Sequence, residues 1–516
     1  MAARMSYVDG GVLPPLPVAT LGAALARAAG SAGGLHHLDE HGRRSTRSYR
    51  ELAEDAEAVL GGLRAAGARR GEHVVLQLAH GPDLLTAFWA AVLGGLVAVP
   101  VSAQAGPDQL AAVGRVVGDA WLVSDVADRG LGGVDELGAR RRTVEPVTAE
   151  PDDVVLLLLT AGTSGAPKAV RITHRNVLSR SYATALARGL DEHTRSLNWL
   201  PLDHIGGLVM FHLRDVFLRC EQTHARTDWV LADPLRWLDA ASRYRADTTW
   251  AHNFAFGLVA DRAAELAGRD WDLSGLRYVM NGGEAVRAPV VRAFLDLLAP
   301  HGLPSSAVHP GWGMCETSAG VVDWVFDPAT PTGRYVPVGR PHPGVALRVV
   351  DERGEIVPEG RAGRLQVRGA PVSPGYHGDP ADPAAAAFAA DGWFTADDLA
   401  YVQDGLLTVT GRADDVIEVD DERWHGHEVE AVVEELPDVT PSYTAACLVH
   451  GRPAVVFHPR PGTPADRTAD LVRAHLLDRL GLRVDLVEPV AADEVPKTGS
   501  GKLRRAELAA RLAARA

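Results

Sequence analysis

The sequence is poor in cysteine and carries no surplus of positive charge. Its 516 residues include three cysteines, Cys220, Cys315 and Cys447, and none of them forms a C-x-x-C pair. This scarcity predicts a reducing compartment and argues against a structural zinc site. The formal net charge of −14 argues against nucleic acid or an anionic membrane as the main partner. Hydrophobic residues make up 46% of the chain and charged residues 23%, which is typical of a globular protein.

Unbroken apolar segments of membrane-spanning length are also missing. Residues 84–107 carry no charge and would be long enough to span a bilayer, but two glycines at 94–95 divide the segment. The pattern predicts a buried helix over 84–93, followed by a strand over 96–101. Three prolines within residues 14–17 interrupt the first apolar stretch, which argues against a signal peptide. We therefore expect a cytoplasmic protein with no membrane partner.

Two common nucleotide motifs are absent. No strand is followed by G-x-G-x-x-G, so a dinucleotide fold is not expected. The C-terminal Gly499-Ser500-Gly501-Lys502 resembles the end of a P-loop. However, Leu503 stands where Ser or Thr should hold magnesium, and Pro496 stands where the first glycine is required.

A different phosphate-binding pattern is present near residue 160. The uncharged run 154–159 predicts a buried strand, and it leads into two hydroxyl residues, two glycines and a lysine. Glycines let backbone N–H groups approach phosphate oxygens, hydroxyls donate hydrogen bonds, and lysine supplies a cation. By itself the segment could also be a surface turn. The candidate phosphate contacts are Thr160, Gly162, Thr163, Ser164, Gly165 and Lys168.

The chain is too long for one core, so two or more domains are expected. Strand and helix patterns alternate over about four hundred residues, which predicts an α/β fold with largely parallel sheets. Residues 49–66 form an amphipathic helical pattern with Gly67 just past its end. Short alternating runs over 339–367 indicate a smaller β-rich part.

Residues 160–168 resemble the phosphate loop of the adenylate-forming (ANL) superfamily: acyl-CoA synthetases, acyl-AMP ligases, luciferases and peptide-synthetase adenylation domains. The family loop reads roughly T-S-G-T-T-G-x-P-K-G, and here Ala161 and Ala169 are mild departures. Five separated motifs occur in the family's order, and the closest likeness is to acyl-AMP ligase domains of polyketide and natural-product pathways. The resemblance implies an N-terminal adenylation domain over 1–411, with a β-rich subdomain at about 335–411. A mobile α+β C-terminal domain would cover 412–516, with its hinge at Asp414.

The resemblance also assigns nucleotide contacts, with ATP and Mg²⁺ as cofactors. Residues 311–317 resemble Y-G-x-T-E, in which the aromatic residue stacks near adenine. Glu316 would hold magnesium together with Thr163, because Mg²⁺ prefers carboxylate and phosphate oxygens. Asp398 would accept hydrogen bonds from the ribose hydroxyls. The nucleotide contacts implied by the remaining motifs are Gly282, Gly283, Glu284, Gly311, Trp312, Gly313, Asp398 and Arg412.

Lys502 matches the family's catalytic lysine. It lies in a glycine-rich segment that would let it reach the cleft and neutralise charge developing at the α-phosphate in the transition state. Together with Glu316 and His204, it completes the predicted catalytic set.

The acid-binding side resembles acyl and aryl ligases, whose L-P-x-x-H-x-x-G matches residues 200–207. Peptide-synthetase domains that select α-amino acids carry aspartate at the position of Ile205, where it pairs with the ammonium group. Ile205 therefore argues against an α-amino acid. A polar or aromatic acid, rather than one with a long alkyl chain, is indicated by the polar side chains of His204, His252, Asn253 and Arg214. Any single polar residue here could equally be a satisfied core residue. The candidate acid contacts are His204, Ile205, His252, Asn253, Phe254, Gly282 and Thr317.

Three functional hypotheses follow from these motifs. The first is a ligase of bacterial natural-product biosynthesis that forms acyl-AMP and passes the acyl group to a carrier-protein thiol, CoA or an amine. The second is a diazotase of the same superfamily that activates nitrite. The third is a non-catalytic nucleotide-binding relative. Asp421 occupies a glycine position in the segment that forms the pantetheine tunnel in the family, so efficient transfer to free CoA is not expected.

Overall fold

The computed structural model describes residues 4–126, 129–139, 146–161, 167–378, 383–419, 422–497 and 503–515. Its strands are β1 (Tyr7–Asp9), β2 (Gly34–Leu38), β3 (Arg44–Ser48), β4 (His73–Gln77), β5 (Val97–Pro100), β6 (Ala120–Ser124), β7 (Val154–Ala161), β8 (Pro167–Thr173), β9 (Arg195–Asn198), β10 (Glu221–Ala225), β11 (Thr248–Ala251), β12 (Tyr278–Asn281), β13 (Val308–Met314), β14 (Ala319–Asp323), β15 (Arg340–Pro341), β16 (Val345–Val350), β17 (Gly363–Gly369), β18 (Tyr376–His377), β19 (Phe394–Gln403), β20 (Leu406–Arg412), β21 (Val416–Val419), β22 (Glu422–His425), β23 (Val439–Val449), β24 (Arg452–Pro459) and β25 (Leu486–Pro489).

Its α-helices are α1 (Leu21–Ala29), α2 (Tyr49–Ala66), α3 (Gly81–Leu93), α4 (Pro107–Val117), α5 (Val134–Ala139), α6 (His174–Arg188), α7 (Arg214–Leu218), α8 (Thr227–Ala232), α9 (Arg236–Arg243), α10 (Asn253–Ala260), α11 (Ala263–Leu266), α12 (Ala288–Leu298), α13 (Gly426–Val433), α14 (Ala465–Leu480) and α15 (Arg505–Ala513). A π-helical segment, Gly206–Leu213, leads directly into α7.

Two large sheets carry most of the N-terminal part. The first has the order β18-β8-β7-β5-β4-β6, with β7, β5, β4 and β6 parallel. The second has the order β15-β14-β13-β12-β11-β9-β10-β2-β3 and is parallel from β2 to β13. Parallel strands require crossover connections, which the intervening helices supply. The predicted α/β class with largely parallel sheets is confirmed.

Local sequence signals account for the helices predicted above. Ser48 and Glu51 form a reciprocal capping box at the start of α2, and Gly67 ends that helix in the left-handed region at φ 109°. The predicted buried helix of 84–93 lies inside α3, and every residue in that range is buried. In the part of the chain that the structure describes, no helix combines the length and the apolar character needed to cross a bilayer.

The β-rich part is a five-stranded sheet of order β1-β16-β17-β19-β20. Its strands pair antiparallel, and its apolar face packs a core of its own around Leu347, Leu365 and Phe394. The edge strand β1 comes from the N-terminus and pairs with β16. Beyond residue 412 the chain forms two small sheets, β21-β22 and β23-β24-β25, with α13 to α15. The proposed division into domains near residue 411 stays a prediction.

Candidate active site

The strand pair β7 and β8 flanks the predicted phosphate loop. Thr160 lies opposite Lys168 in the antiparallel register, so both candidate residues sit where the two strands approach the loop. The loop residues Gly162, Thr163, Ser164 and Gly165 lie outside the described residues. The Lys168 ammonium nitrogen lies 5.2 Å from the centre of the Tyr376 ring. The cation is therefore held at this edge of the sheet.

Glu316 is 5% exposed, and its Oε1 accepts a hydrogen bond of 2.8 Å from the Tyr376 hydroxyl. Burial raises the pKa of Glu316, whereas the Tyr376 hydrogen bond and the positive charge of Lys168 lower it. A buried carboxylate needs partners of this kind, because an uncompensated buried charge is costly. Tyr376 thus links the predicted magnesium ligand to the predicted phosphate-binding lysine.

The turn that follows Glu316 is strained. Ser318 and Ala319 both have positive φ, 55° and 94°, although neither is glycine. Such residues cost on the order of 1–3 kcal/mol each and persist where the surroundings fix them. Here the Thr317 hydroxyl accepts from the Met314 N–H and donates to the Ala319 carbonyl. These bonds hold the backbone of the turn that carries Glu316.

The predicted ribose contacts come together across β19 and β20. Asp398 pairs in register with Arg412, and the Trp312 indole N–H donates to Asp398 Oδ2 at 2.7 Å. Burial alone would lower the pKa of Arg412, but its hydrogen bond with Asp414 and the charges of Asp414, Asp398 and Asp397 raise it. Arg412 is therefore a permanent cation beside Asp398, the predicted ribose contact, and it is hydrogen-bonded to the predicted hinge residue Asp414.

Gly282 and Gly283 form a turn that admits no side chain. A Cβ at Gly282 would lie 2.6 Å from the Gly311 carbonyl oxygen, and one at Gly283 would lie 2.7 Å from His252 Cε1. Gly283 also has φ of 79°, which glycine adopts without strain. The predicted contacts at 252, 282–283 and 311 therefore share one wall.

Hydrogen bonds fix that wall. His252 Nδ1 lies 2.9 Å from the Gly282 carbonyl, and the Phe254 N–H donates to Glu284 at 2.7 Å. The Asn253 side-chain oxygen accepts from the Arg287 N–H.

The remaining acid-side candidates differ in exposure. His204 is exposed, and its Nδ1 accepts from the Gly206 N–H at 3.2 Å. Ile205 is buried at 7% exposure and packs into the main apolar core. Thr317 is fully buried, with its hydroxyl engaged in the turn after Glu316. Their roles toward the acid stay predictions.

The C-terminal part contacts the nucleotide side of the site. Arg287 forms an ion pair with Glu434 and donates to the Ala431 carbonyl. Burial lowers the pKa of Lys497 to about 8, although the negative charges of Glu434 and Glu284 oppose that shift. Lys497 and Leu503 form a β-bridge, and Lys502 lies outside the described residues. Lys497 therefore lies within the charge influence of Glu284.

The described residues could hold magnesium only together with phosphate oxygens of the nucleotide. Among the residues the structure describes, no three His, Cys, Asp or Glu side chains gather to hold a metal. Mg²⁺ is usually bound through one or two carboxylates plus substrate phosphates. Glu316 is the predicted carboxylate of such an arrangement.

A family described as "AMP-binding enzyme" matches residues 25–377, well over half of the sequence. This chain is a member of that family. It is an adenylate-forming enzyme with an ATP-dependent adenylation domain, as the resemblance implied. Over 508 residues it is 29% identical to aspulvinone E synthetase from Aspergillus terreus, covering 90% of this chain and 54% of that protein. The chain thus spans about half the length of the curated relatives it matches.

Two solved structures are similar over almost the whole chain. The McyG A-PCP structure complexed with phenylalanyl-adenylate superposes with a TM-score of 0.93 at 30% identity, covering 98% of this chain and 84% of that one. The adenylation domain of a keto acid-selecting module bound to keto acyl adenylate has a TM-score of 0.75 at 34% identity. That match covers 94% of this chain and all of the other. These similarities confirm the adenylation-domain fold, and they support neither a diazotase nor a specifically bacterial setting.

Sequence reasoning missed Tyr376, which contacts two predicted site residues, and Lys497, which lies within the charge influence of a third, Glu284. Tyr376 reaches both Glu316 and Lys168 from a two-residue strand, and no pattern in its neighbourhood signals that contact. Lys497 was passed over in favour of Lys502 in the same segment. The signal that could have found it is its place immediately before the glycine-rich run.

Proposed function

We propose that this AMP-binding enzyme adenylates an α-keto or aryl acid and then passes the acyl group to a carrier-protein thiol. The observation that carries the proposal is the buried, apolar Ile205 at the position where domains for α-amino acids carry an aspartate. An ammonium group would find no carboxylate partner there, and burying an unpaired charge is costly. The similarity to an adenylation domain bound to keto acyl adenylate supports the same choice.

Each predicted residue has a role in the first half-reaction. A carboxylate oxygen of the acid attacks the α-phosphorus of ATP, the bond to pyrophosphate breaks, and acyl-AMP forms. Asp398 and Trp312 orient the ribose, and Arg412 adds positive charge beside it. Lys168 would neutralise the triphosphate, and Lys502 the charge that develops at the α-phosphate.

Magnesium would be held by Glu316, with Thr163 as a second candidate ligand. When bound, the ion would neutralise charge on the departing pyrophosphate. Tyr376 would orient the Glu316 carboxylate through its hydrogen bond of 2.8 Å. The positive charge of Lys168 lowers the pKa of Glu316 and so favours the ionised form that a metal ligand requires.

The first test compares α-keto acids with the α-amino acids that carry the same side chains. Acid-dependent ATP–pyrophosphate exchange should favour the keto acid, and the Ile205→Asp variant should move the preference toward the amino acid. Ile205→Leu keeps the pocket apolar and serves as the matched control. Benzoic acids are assayed beside them as aryl substrates. Exchange with the α-amino acids as fast as with the best keto or aryl acid would refute the proposal, as would nitrite-dependent pyrophosphate release with no acid present.

The second half-reaction is tested through the acceptor. Asp421 lies outside the described residues, so its effect rests on chemistry: carboxylates near a thiol disfavour the thiolate that must attack. We expect acyl transfer to a carrier-protein thiol and poor transfer to free CoA, with the Asp421→Gly variant gaining CoA transfer. Rapid acyl-CoA formation by the parent enzyme would contradict this expectation.

A further inference from the structure

Arg180, on α6, is a buried cation with an unused donor. Its side chain is 1% exposed. Its Nε donates to the Gly320 carbonyl at 3.0 Å, and its Nη1 donates to the Met210 carbonyl at 3.3 Å. Its Nη2 is also buried and has no hydrogen-bond partner within the described ranges. Such an orphan is unusual, because buried polar groups are nearly always hydrogen-bonded.

The nearby carboxylates are already committed to other partners. Asp323 pairs with Arg188 and accepts a hydrogen bond from Tyr278. Asp215 is paired with Arg214 through a hydrogen bond of 2.8 Å. In the described part of the chain, no carboxylate forms an ion pair with Arg180.

The negative charges of Asp323 and Asp215 favour the charged form of Arg180, although neither forms an ion pair with it. Burial lowers the pKa of Arg180 to about 10, so the guanidinium stays protonated at neutral pH. A buried cation that forms no ion pair is destabilising unless an acceptor reaches it.

The unused nitrogen lies among the segments that carry the predicted acid contacts. It is 3.9 Å from the position that a Cβ on Gly320 would take. Gly320 is paired in register with Gly313, a member of the predicted nucleotide motif. Met210 lies on the π-helical segment that follows His204 and Ile205.

The flexible Met280 side chain lies close to two glycines in this region, and one of them, Gly320, adjoins Arg180. A Cβ at Gly320 would lie 2.4 Å from Met280 Cε, and one at Gly311 would lie 2.8 Å from the same atom. Met280 lies two residues before Gly282, in strand β12, which ends at Asn281. Methionine is unbranched and repacks readily, so it can yield its place to a ligand. Because Gly311 and Gly320 carry no side chains, the volume that Met280 occupies would be open to a ligand once Met280 moved.

We propose that Arg180 is a specificity residue for the acid, and that the acid carries an oxygen acceptor at the end remote from its reacting carboxylate. Arg180 Nη2 would donate to that oxygen after Met280 moves aside. The ligand class is an acid with a distal phenol, carbonyl or carboxylate oxygen. The inference rests on the proposed function, because it requires that the acid binds beside the turn at 282–283.

The test uses matched phenylpyruvates in ATP–pyrophosphate exchange. The para-substituents are hydroxyl, carboxylate and methyl, where methyl keeps a similar size but accepts no hydrogen bond. Hydrogen bonds to charged groups are among the stronger ones, so kcat/KM should be about tenfold or more higher for an oxygen-bearing acid than for the methyl acid. In the Arg180→Met variant that ratio should fall to about one.

Arg175→Met is the control, because Arg175 lies on the same helix but is exposed and paired with Asp152. That variant should keep the parent ratio. Thermal unfolding and ATP binding check that Arg180→Met is folded. If Arg180→Met does not fold, the ratio of kcat/KM values in the unmodified enzyme alone tests the proposal.

Two failures can be told apart. If keto acids are adenylated but the ratio is about one in the parent enzyme, the assignment of Arg180 is overturned and the proposed function stands. An Arg180→Met variant that folds and keeps the parent ratio also overturns the assignment. If only amino acids react, the proposed keto-acid function fails. The kcat/KM values of tyrosine and phenylalanine then provide the equivalent comparison. A preference for tyrosine that is lost in Arg180→Met would still support the Arg180 subsite.

Discussion

The hydrogen bond between Trp312 and Asp398 should be a main determinant of ATP affinity. The indole N–H donates to Asp398 Oδ2 at 2.7 Å, and Trp312 is 8% exposed. Replacing Trp312 with phenylalanine keeps an aromatic ring for adenine but removes the donor, so the carboxylate loses the contact that orients it toward the ribose.

The expected magnitude follows from the kind of bond that is lost. A hydrogen bond to a charged group contributes about 1.5–3 kcal/mol. Each 1.4 kcal/mol corresponds to about a tenfold change in an equilibrium constant, so the KM for ATP should rise by about tenfold or more. The KM for the acid should change little, because Trp312 acts on the ribose side.

The assay is ATP–pyrophosphate exchange. ATP is first varied at saturating acid, and the acid is then varied at saturating ATP. Trp324→Phe is the matched control, since Trp324 follows the same strand pair but is 41% exposed. Trp324→Phe should leave both KM values near those of the parent enzyme. An unchanged KM for ATP in a folded Trp312→Phe variant would refute the reasoning, and equal rises in both KM values would show a general disruption of the site.

Three further predictions concern catalysis and acid stability. Lys502→Ala should abolish adenylate formation, because the lysine acts on the transition state. ATP binding and thermal unfolding should stay close to those of the parent enzyme. Unchanged ATP–pyrophosphate exchange would contradict the assignment of Lys502. Glu316→Gln should raise the magnesium concentration needed for half-maximal activity, and an identical magnesium titration would make this carboxylate structural. Burial lowers the pKa of His37 to about 3 and that of His212 to about 4, below the usual 6.5. Below pH 6.5 the unfolded chain then binds more protons than the folded chain does. The contribution of these two histidines to the free energy of unfolding should therefore be fully present above pH 6.5. It should fall by up to about 1.4 kcal/mol per pH unit and per histidine toward pH 4. Urea unfolding at pH 7.5 and 5.5 measures the difference, and equal values would show that the two histidines are protonated in the fold.

The sequence by itself determined the features that depend on near neighbours. The capping box of Ser48 and Glu51 and the glycine after residue 66 set the ends of α2, because all these groups lie within one or two helical turns. The strand before residue 160 and the motifs at 282–284 and 311–317 were recognisable for the same reason. Each is a short run whose chemistry is written in consecutive residues.

Tertiary structure alone decided which of these pieces meet. The Trp312–Asp398 and Tyr376–Glu316 hydrogen bonds join residues 86 and 60 positions apart. Strand β1 pairs with β16, far along the chain, and closes one edge of the five-stranded sheet. These contacts follow from sheet order and register, which short-range patterns do not encode. The unused donor of Arg180 is visible only once its two carbonyl partners and the committed aspartates are in place, because burial and pairing belong to the folded chain as a whole.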